Sequence, residues 1–170
     1  MFQKILLAVA LQRDSDYSLY AAALKPVGIG LARAASGEIT LLTVFDYEEL
    51  SHGGRVNILP PDVLEREKEL IRRRIEAKLD NYALDFLREG LEVQKLVREG
   101  NPREEIIQVA KEIRADLIII GAHCHRSVFD VLLGKTAESI TKNAPCAVVK
   151  VSPPPKEHWK NWEMILTFDH

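Results

Sequence analysis

Cysteine is scarce in this sequence. Cys124 and Cys146 are the only two in 170 residues, too few for a disulfide framework in a chain of this length. That scarcity points to a reducing, cytoplasmic setting. Long apolar runs are absent too, and no stretch approaches the roughly 20 apolar residues that cross a bilayer. The longest run near the start, Ile5 to Leu11, follows Lys4 and ends in Gln12-Arg13-Asp14 with no small-residue cleavage site after it. It reads as a buried strand rather than a signal peptide. There is no basic excess: 23 Lys and Arg stand against 25 Asp and Glu, for a net charge of −2. A nucleic-acid binder would carry a positive surplus. No Gly-x-Ser-x-Gly elbow occurs, so a nucleophilic triad of that type finds no support. No internal repeat is visible.

What is present is a regular alternation. Hydrophobic residues make up 46% of the chain, enough for one core in a single domain. Continuous apolar runs of strand length fit strands buried on both faces. They fall at Ile5–Leu11, Ile39–Phe45 and Asp116–Ile120, with Leu91–Arg98 and Cys146–Val151 as weaker examples. Between them lie helical patterns. The first, from about Asp16 to Ala35, contains Pro26, which predicts a kink or break, and Gly37 is its expected stop. The second runs from about Asp62 to Glu89, with Leu64, Ile71, Ile75, Leu79, Tyr82 and Leu87 as one apolar stripe and a charged, solvated opposite face. A third begins at Asn101-Pro102-Arg103-Glu104, a cap, a first-position proline and a capping-box glutamate, and runs to about Arg114. A fourth covers about Val128 to Asn143. Asp46 to Pro61 reads as a long loop. Strands alternating with helices predict an α/β fold, an open five-stranded parallel sheet with helices on both faces. Ser152-Pro153-Pro154-Pro155 marks a boundary between a domain over 1–151 and an extension over 152–170 that holds Trp159 and Trp162.

In open parallel sheets ligands bind beyond the carboxyl ends of the strands. The fourth strand ends at Gly121, followed by Ala-His-Cys-His-Arg-Ser and, further on, Gly134-Lys135-Thr136. Glycine lets a ligand approach the backbone, and main-chain N–H groups in such loops hold phosphate oxygens. Two ordinary turns explain the same residues on composition alone. Gly134-Lys135-Thr136 is not a P-loop, because Phe129 stands where that motif needs its first glycine. His123, Cys124 and His125 have metal-type side chains, with His52 as a possible further partner, but neighbours in an extended chain point to opposite sides. No metal site is expected. Cys124 has no resolving thiol visible in sequence.

The run VREGNPREEIIQVAKEIRADLIIIGAHCHRSVFDVLLGKTAESITKNAPCAVVKV, residues 97 to 151, resembles the second half of a universal stress protein. KILLAVAL and GEITLLTVFD resemble the first half. The resemblance implies a Rossmann-like fold of the adenine nucleotide alpha hydrolase type and homodimers joined along the last strand, here Cys146 to Val151. Some members bind ATP through Gly-x2-Gly-x9-Gly-Ser/Thr after strand four. Gly121 and Gly134 match the first and third glycines with the spacing of nine kept, Cys124 replaces the second, and Lys135 takes the Ser/Thr position with Thr136 next. His123 matches a histidine common in that loop, and Val44 a position that contacts adenine. Ala10 stands where binding members usually carry an aspartate, for which Asp14 or Asp16 is a substitute.

Three functions follow as expectations. One is a regulatory dimer that holds ATP or a related adenine nucleotide, with or without Mg²⁺. Its site would be Val9, Val44, Ile120, Gly121, His123, Gly134, Lys135 and Thr136. It would lack efficient turnover, because no general base is visible near the loop. Another is a nucleotide-free adaptor working through the dimer or through the tail, where Trp159, Trp162 and Met164-Ile165-Leu166 are anchor-type residues. A third is an enzyme, a slow ATPase or a member of a related adenine-nucleotide hydrolase fold, although likeness of fold alone does not carry an activity.

Overall fold

The computed structural model describes residues 2–10, 19–47, 60–121 and 130–153, with the side chains of 130–135 left aside. Nine elements alternate within them: β1 (Lys4–Ala8), α1 (Leu19–Ala35), β2 (Glu38–Phe45), α2 (Pro61–Arg88), β3 (Val93–Glu99), α3 (Pro102–Glu112), β4 (Leu117–Gly121), α4 (Asp130–Asn143) and β5 (Ala147–Val151). The five strands form one sheet in the order β3-β2-β1-β4-β5, and every pairing is parallel. The sequence expectation of a parallel five-stranded α/β fold holds.

The two-residue period of a strand sorts side chains between two cores. Ile5, Leu7 and Val9 of the β1 segment, with Ile39, Leu41, Leu117 and Ile119, pack against α1 and α2 through Ala21, Leu24, Leu79, Tyr82 and Phe86. Leu6, Leu42, Ile118 and Ile120 pack against α3 and α4 through Ile106, Val109, Ala137 and Ile140. Asp116 ties the entrances of β4 and β1 together, its carboxylate accepting from the N–H groups of Gln3 (2.9 Å) and Lys4 (3.0 Å).

Several local expectations change. β1 ends at Ala8 rather than Leu11, and Leu11 itself lies outside the described residues, as do 16–18 before α1 and 128–129 before α4. α1 runs through Pro26 without a break. Pro26 is exposed, while Ala21 to Leu24 before it and Gly28 and Ala32 after it are buried, so packing on both sides outweighs the lost hydrogen bond. Leu87 is exposed and Phe86 takes its place in the apolar stripe, because Phe86 stands one full turn beyond Tyr82. Asn101 caps α3 by accepting from the N–H of Arg103 (2.9 Å), and among the described residues Glu104 makes no reciprocal bond.

The first three helices end alike. A residue of positive φ follows each: Ser36 (51°), Gly90 (74°) and Arg114 (54°). The next N–H then reaches five residues back, from Gly37 to Ala32 (2.9 Å), Leu91 to Phe86 (3.2 Å) and Ala115 to Ala110 (2.8 Å). This is the Schellman arrangement, which satisfies the helix's last carbonyls and turns the chain toward the next strand. The expected stop at Gly37 is therefore one residue late. Its glycine serves another purpose: a Cβ there would lie 2.5 Å from the carbonyl oxygen of Phe2.

At Gly28 α1 packs tightly against the sheet. A Cβ at this position would meet Leu7 Cδ1 at 2.6 Å and Phe86 Cε1 at 3.2 Å, both on fully buried side chains, whereas one at Gly30 would meet nothing within 4 Å. We expect Gly28→Ala to destabilise the fold by about 1–3 kcal/mol through overpacking. Gly30→Ala should instead stabilise it by up to about 1 kcal/mol through helix propensity. Urea unfolding of the two variants checks this; equal effects would show that α1 is not held tightly against Leu7.

Candidate functional site

The strand order reverses at the middle of the sheet. β2 and β3 lie to one side of β1, β4 and β5 to the other. α1, which follows β1, covers one face, and α4, which follows β4, covers the opposite face. The chain therefore leaves the carboxyl ends of β1 and β4 in opposite directions, and the divergence opens a crevice where ligands bind in sheets of this kind.

Each side of that crevice is fixed by main-chain geometry. Ala8 pairs with Ile120. Beyond it, the N–H of Val9 donates to the carbonyl of Leu42 (2.8 Å), and the hydroxyl of Thr43 donates to the carbonyl of Val9 (3.2 Å). The chain thus stays on β2 for one residue past β1 and then exposes Ala10. Opposite, Gly121 ends β4 half-buried, beside the first turn of α1. A Cβ on Gly121 would lie 2.9 Å from Tyr20 Cβ. The absence of a side chain here lets α1 start close to β4 while the backbone of Gly121 keeps some exposure.

The residues singled out from sequence do not all play one part. Val9 and Ile120 lie on opposite faces of the sheet, each 3% exposed, so their side chains belong to the two cores and what they offer the crevice is backbone. Val44 is half-buried on the same face as Ile120. Gly134 and Lys135 are the fifth and sixth residues of α4, and Thr136 follows half-buried. An α-helix engages its N–H groups from the fifth residue on, so main chain free to meet an anion at this end of α4 precedes Gly134. His123, Cys124, His125, His52, Asp14 and Asp16 lie outside the described residues. Among the described residues no group of three His, Cys, Asp or Glu side chains is placed to hold a metal ion.

Sequence reasoning missed Thr43, Tyr20 and Tyr47. Thr43 had a readable signal, since a hydroxyl in an otherwise apolar buried strand must find a partner. Tyr47, just past β2, is buried and donates to Glu67 Oε2 of α2 (2.6 Å). Lys68 lies over its ring at 5.5 Å and pairs with Glu99 at 2.6 Å, which ties α2 to the end of β3. The hydrogen bond to Glu67 raises the Tyr47 phenol above its usual range, with burial and the Glu67 charge adding to the effect. Cys146, before β5, has its thiol raised by burial and then by the Asp116 charge, so it is not a reactive thiolate near neutrality. A second concavity, an open cleft of about 410 Å³, lies at the other end of the sheet and is lined by Lys4, Glu38, Thr40, Glu112 and Arg114 among others.

A family model described as the universal stress protein family matches residues 1–152. A universal stress protein of Thermus aquaticus is 30% identical over 154 residues, spanning 89% of this chain and 99% of its own. Among solved structures, a universal stress protein in complex with cAMP superimposes with a TM-score of 0.62 at 16% identity, covering 90% of this chain and 98% of its own. The universal stress protein from Archaeoglobus fulgidus in complex with dAMP gives 0.55 at 18% identity, covering 88% and 98%. At these identities the structural likeness bears on the fold alone. No helix among the described residues is long and apolar enough to cross a membrane.

Two outcomes test the site's framework. Thr43→Val removes the donor to Val9 and leaves a buried carbonyl without it, at a cost of about 1–3 kcal/mol in chemical unfolding. Tyr47 supports the fold with its phenol protonated: because its pKa is raised on folding, that contribution is complete below the unfolded value near 10 and is lost as pH rises through the folded value. Tyr47→Phe should therefore show a shallower loss of stability above about pH 10 than wild type. Identical alkaline profiles would mean that the Glu67 contact does not shift this phenol.

Proposed function

The chain belongs to the universal stress protein family, and from that membership we propose that it is a regulatory homodimer that binds an adenine nucleotide, ATP in the first instance, without efficient turnover. The observation that carries this reading is the β1–β4 crevice with the bare backbone of Gly121 at its rim. Main chain at that point, the preceding turn of α4 and the ammonium of Lys135 would hold phosphates, and half-buried Val44 would meet the base. Two fold neighbours solved with cAMP and dAMP support an adenine ligand. Mg²⁺ would accompany a triphosphate. Absence of turnover rests on the lack of a general base in the motif. The cytoplasmic setting rests on the scarcity of cysteine.

Dimerisation is assigned to β5. Among the described residues this strand pairs on one flank only, with β4, and its own residues are exposed or half-buried. An unpaired edge of this kind is a template for a second strand. The specific feature favouring a nucleotide-free adaptor instead is the placement of Gly134 within α4, together with Cys124 where the motif has glycine.

Calorimetry separates the two. With ATP, alone and with Mg²⁺, saturable binding without phosphate release is expected. Lys135→Ala should weaken ATP by about tenfold or more, the effect of losing a charge-assisted contact of ~1.5–3 kcal/mol, and leave adenosine unaffected. No binding of ATP, cAMP or dAMP at millimolar concentration would overturn the nucleotide reading in favour of the adaptor.

A further inference from the structure

The outward face of α2 carries a row of apolar residues at intervals of seven: Val63, Leu70, Ala77 and Leu84. The inward face is accounted for by Leu79, Tyr82, Ala83 and Phe86. Leu70 is 63% exposed and Leu84 44% exposed, Ala77 between them is exposed, and Val63 is half-buried. A seven-residue apolar spacing supplies one of the two apolar rows in the seam of paired helices, and here polar residues fill the other. Its flanks are charged. Arg73 and Asp80 lie on one side of the row, Arg74 and Asn81 on the other. Arg73 pairs with Glu69 (2.8 Å), and Asp80 pairs with Lys95 of β3.

We propose that this face docks on the same face of a second copy of the chain, antiparallel, with the two-fold axis at Ala77. The row is self-complementary in that arrangement, and the charged flanks select it over a parallel one. Leu70 and Leu84 stand seven residues before and after the axis, so each Leu70 meets the Leu84 of the second copy. Ala77 meets itself, and its small side chain lets the helix axes approach to about 8–10 Å. Arg73 stands four residues before the axis and Asp80 three after, on the same side of the row, so each Arg73 falls beside the Asp80 of the second copy. The result is an alternating line of charge, Glu69–Arg73 of one chain and Asp80–Lys95 of the other. In a parallel pair the two-fold axis exchanges the flanks, so Arg73 would face Arg74 and Asp80 would face Asn81, with no ion pair formed. Such an isologous contact closes on itself.

The contact is a weak one. The three central apolar residues span about 21 Å of helix, so the buried area falls below the roughly 1,200 Å² of a stable complex. It lies on α2 above β2 and β3, while β5 is the far edge of the sheet. It is therefore independent of the dimer assigned to β5, and in a β5-linked dimer it would join dimers into larger assemblies.

The test is a disulfide placed on the axis. In the full chain with Cys124→Ser and Cys146→Ser, Ala77→Cys would bring two sulfurs together across a Cα separation of about 5 Å, inside the range a disulfide needs. Arg66→Cys is the control: on the same face, eleven residues from the axis, its two copies would be about 33 Å apart. Under mild oxidation Ala77→Cys is expected to form covalent dimers at least tenfold faster than Arg66→Cys. Adding Leu84→Asp, a surface change that leaves the circular dichroism spectrum intact, should remove that advantage. Equal rates at positions 66 and 77 would overturn the proposal as random collision or a parallel pairing. No crosslink at either would overturn it in favour of a different occupant of the face.

Discussion

Ile5, Leu6 and Leu7 have no exposed surface at all. Three consecutive side chains on a strand point alternately to its two faces, so burying all three requires cover on both. A parallel sheet with helices on each side supplies that cover, and β1 lies at its centre between β2 and β4. Each of these side chains is worth roughly 1.5–3 kcal/mol of transfer from water, before the cost of ordering the chain. The same central placement fixes where a ligand can go. If β1 had been an edge strand, the order would not reverse there and no crevice would open at its carboxyl end.

Parallel connection also forces each helix to return the chain to the start of the next strand. The recurring Schellman ends after α1, α2 and α3 make that return within a few residues. Only Gly90 uses the residue type that favours positive φ; Ser36 and Arg114 adopt it at some cost in strain. That cost is tolerated because the chain entering the next strand is anchored at once. Glu38 donates its N–H to Gln3 (2.8 Å), and Asp116 donates its own to Lys4 (2.8 Å) while its carboxylate holds two more N–H groups.

How much of this was legible depends on the kind of signal. LIII in β4 and ILL in β1 read directly as strands buried on both sides, because continuous apolar runs have few other uses. Pro26 misled for the opposite reason: its local penalty is real, and what overrides it is tertiary, the burial of Gly28 against Leu7 and Phe86. The exchange of Leu87 for Phe86 came from following an apolar stripe by composition when the four-residue step from Tyr82 decides it. At the site, the glycine at 121 was legible, but its neighbour was not, since Tyr20 lies 101 positions away in sequence. Val9 and Ile120 were read as members of one site because both stand at strand ends. Their registers place them on opposite faces, a fact that needs the pairing of Ala8 with Ile120.

The altered loop chemistry is best weighed against that framework. Cys124 and Lys135 change side chains, whereas the crevice is built from strand order, from the hold of Thr43 on Val9 and from the missing Cβ at Gly121. A phosphate held by main-chain N–H groups depends on where the backbone runs, and much less on which side chains flank it. At position 135 a positive charge stands where the motif has a hydroxyl. Strand order, the bond from Thr43 to Val9 and the bare backbone at Gly121 do not depend on which side chains stand at positions 124 and 135.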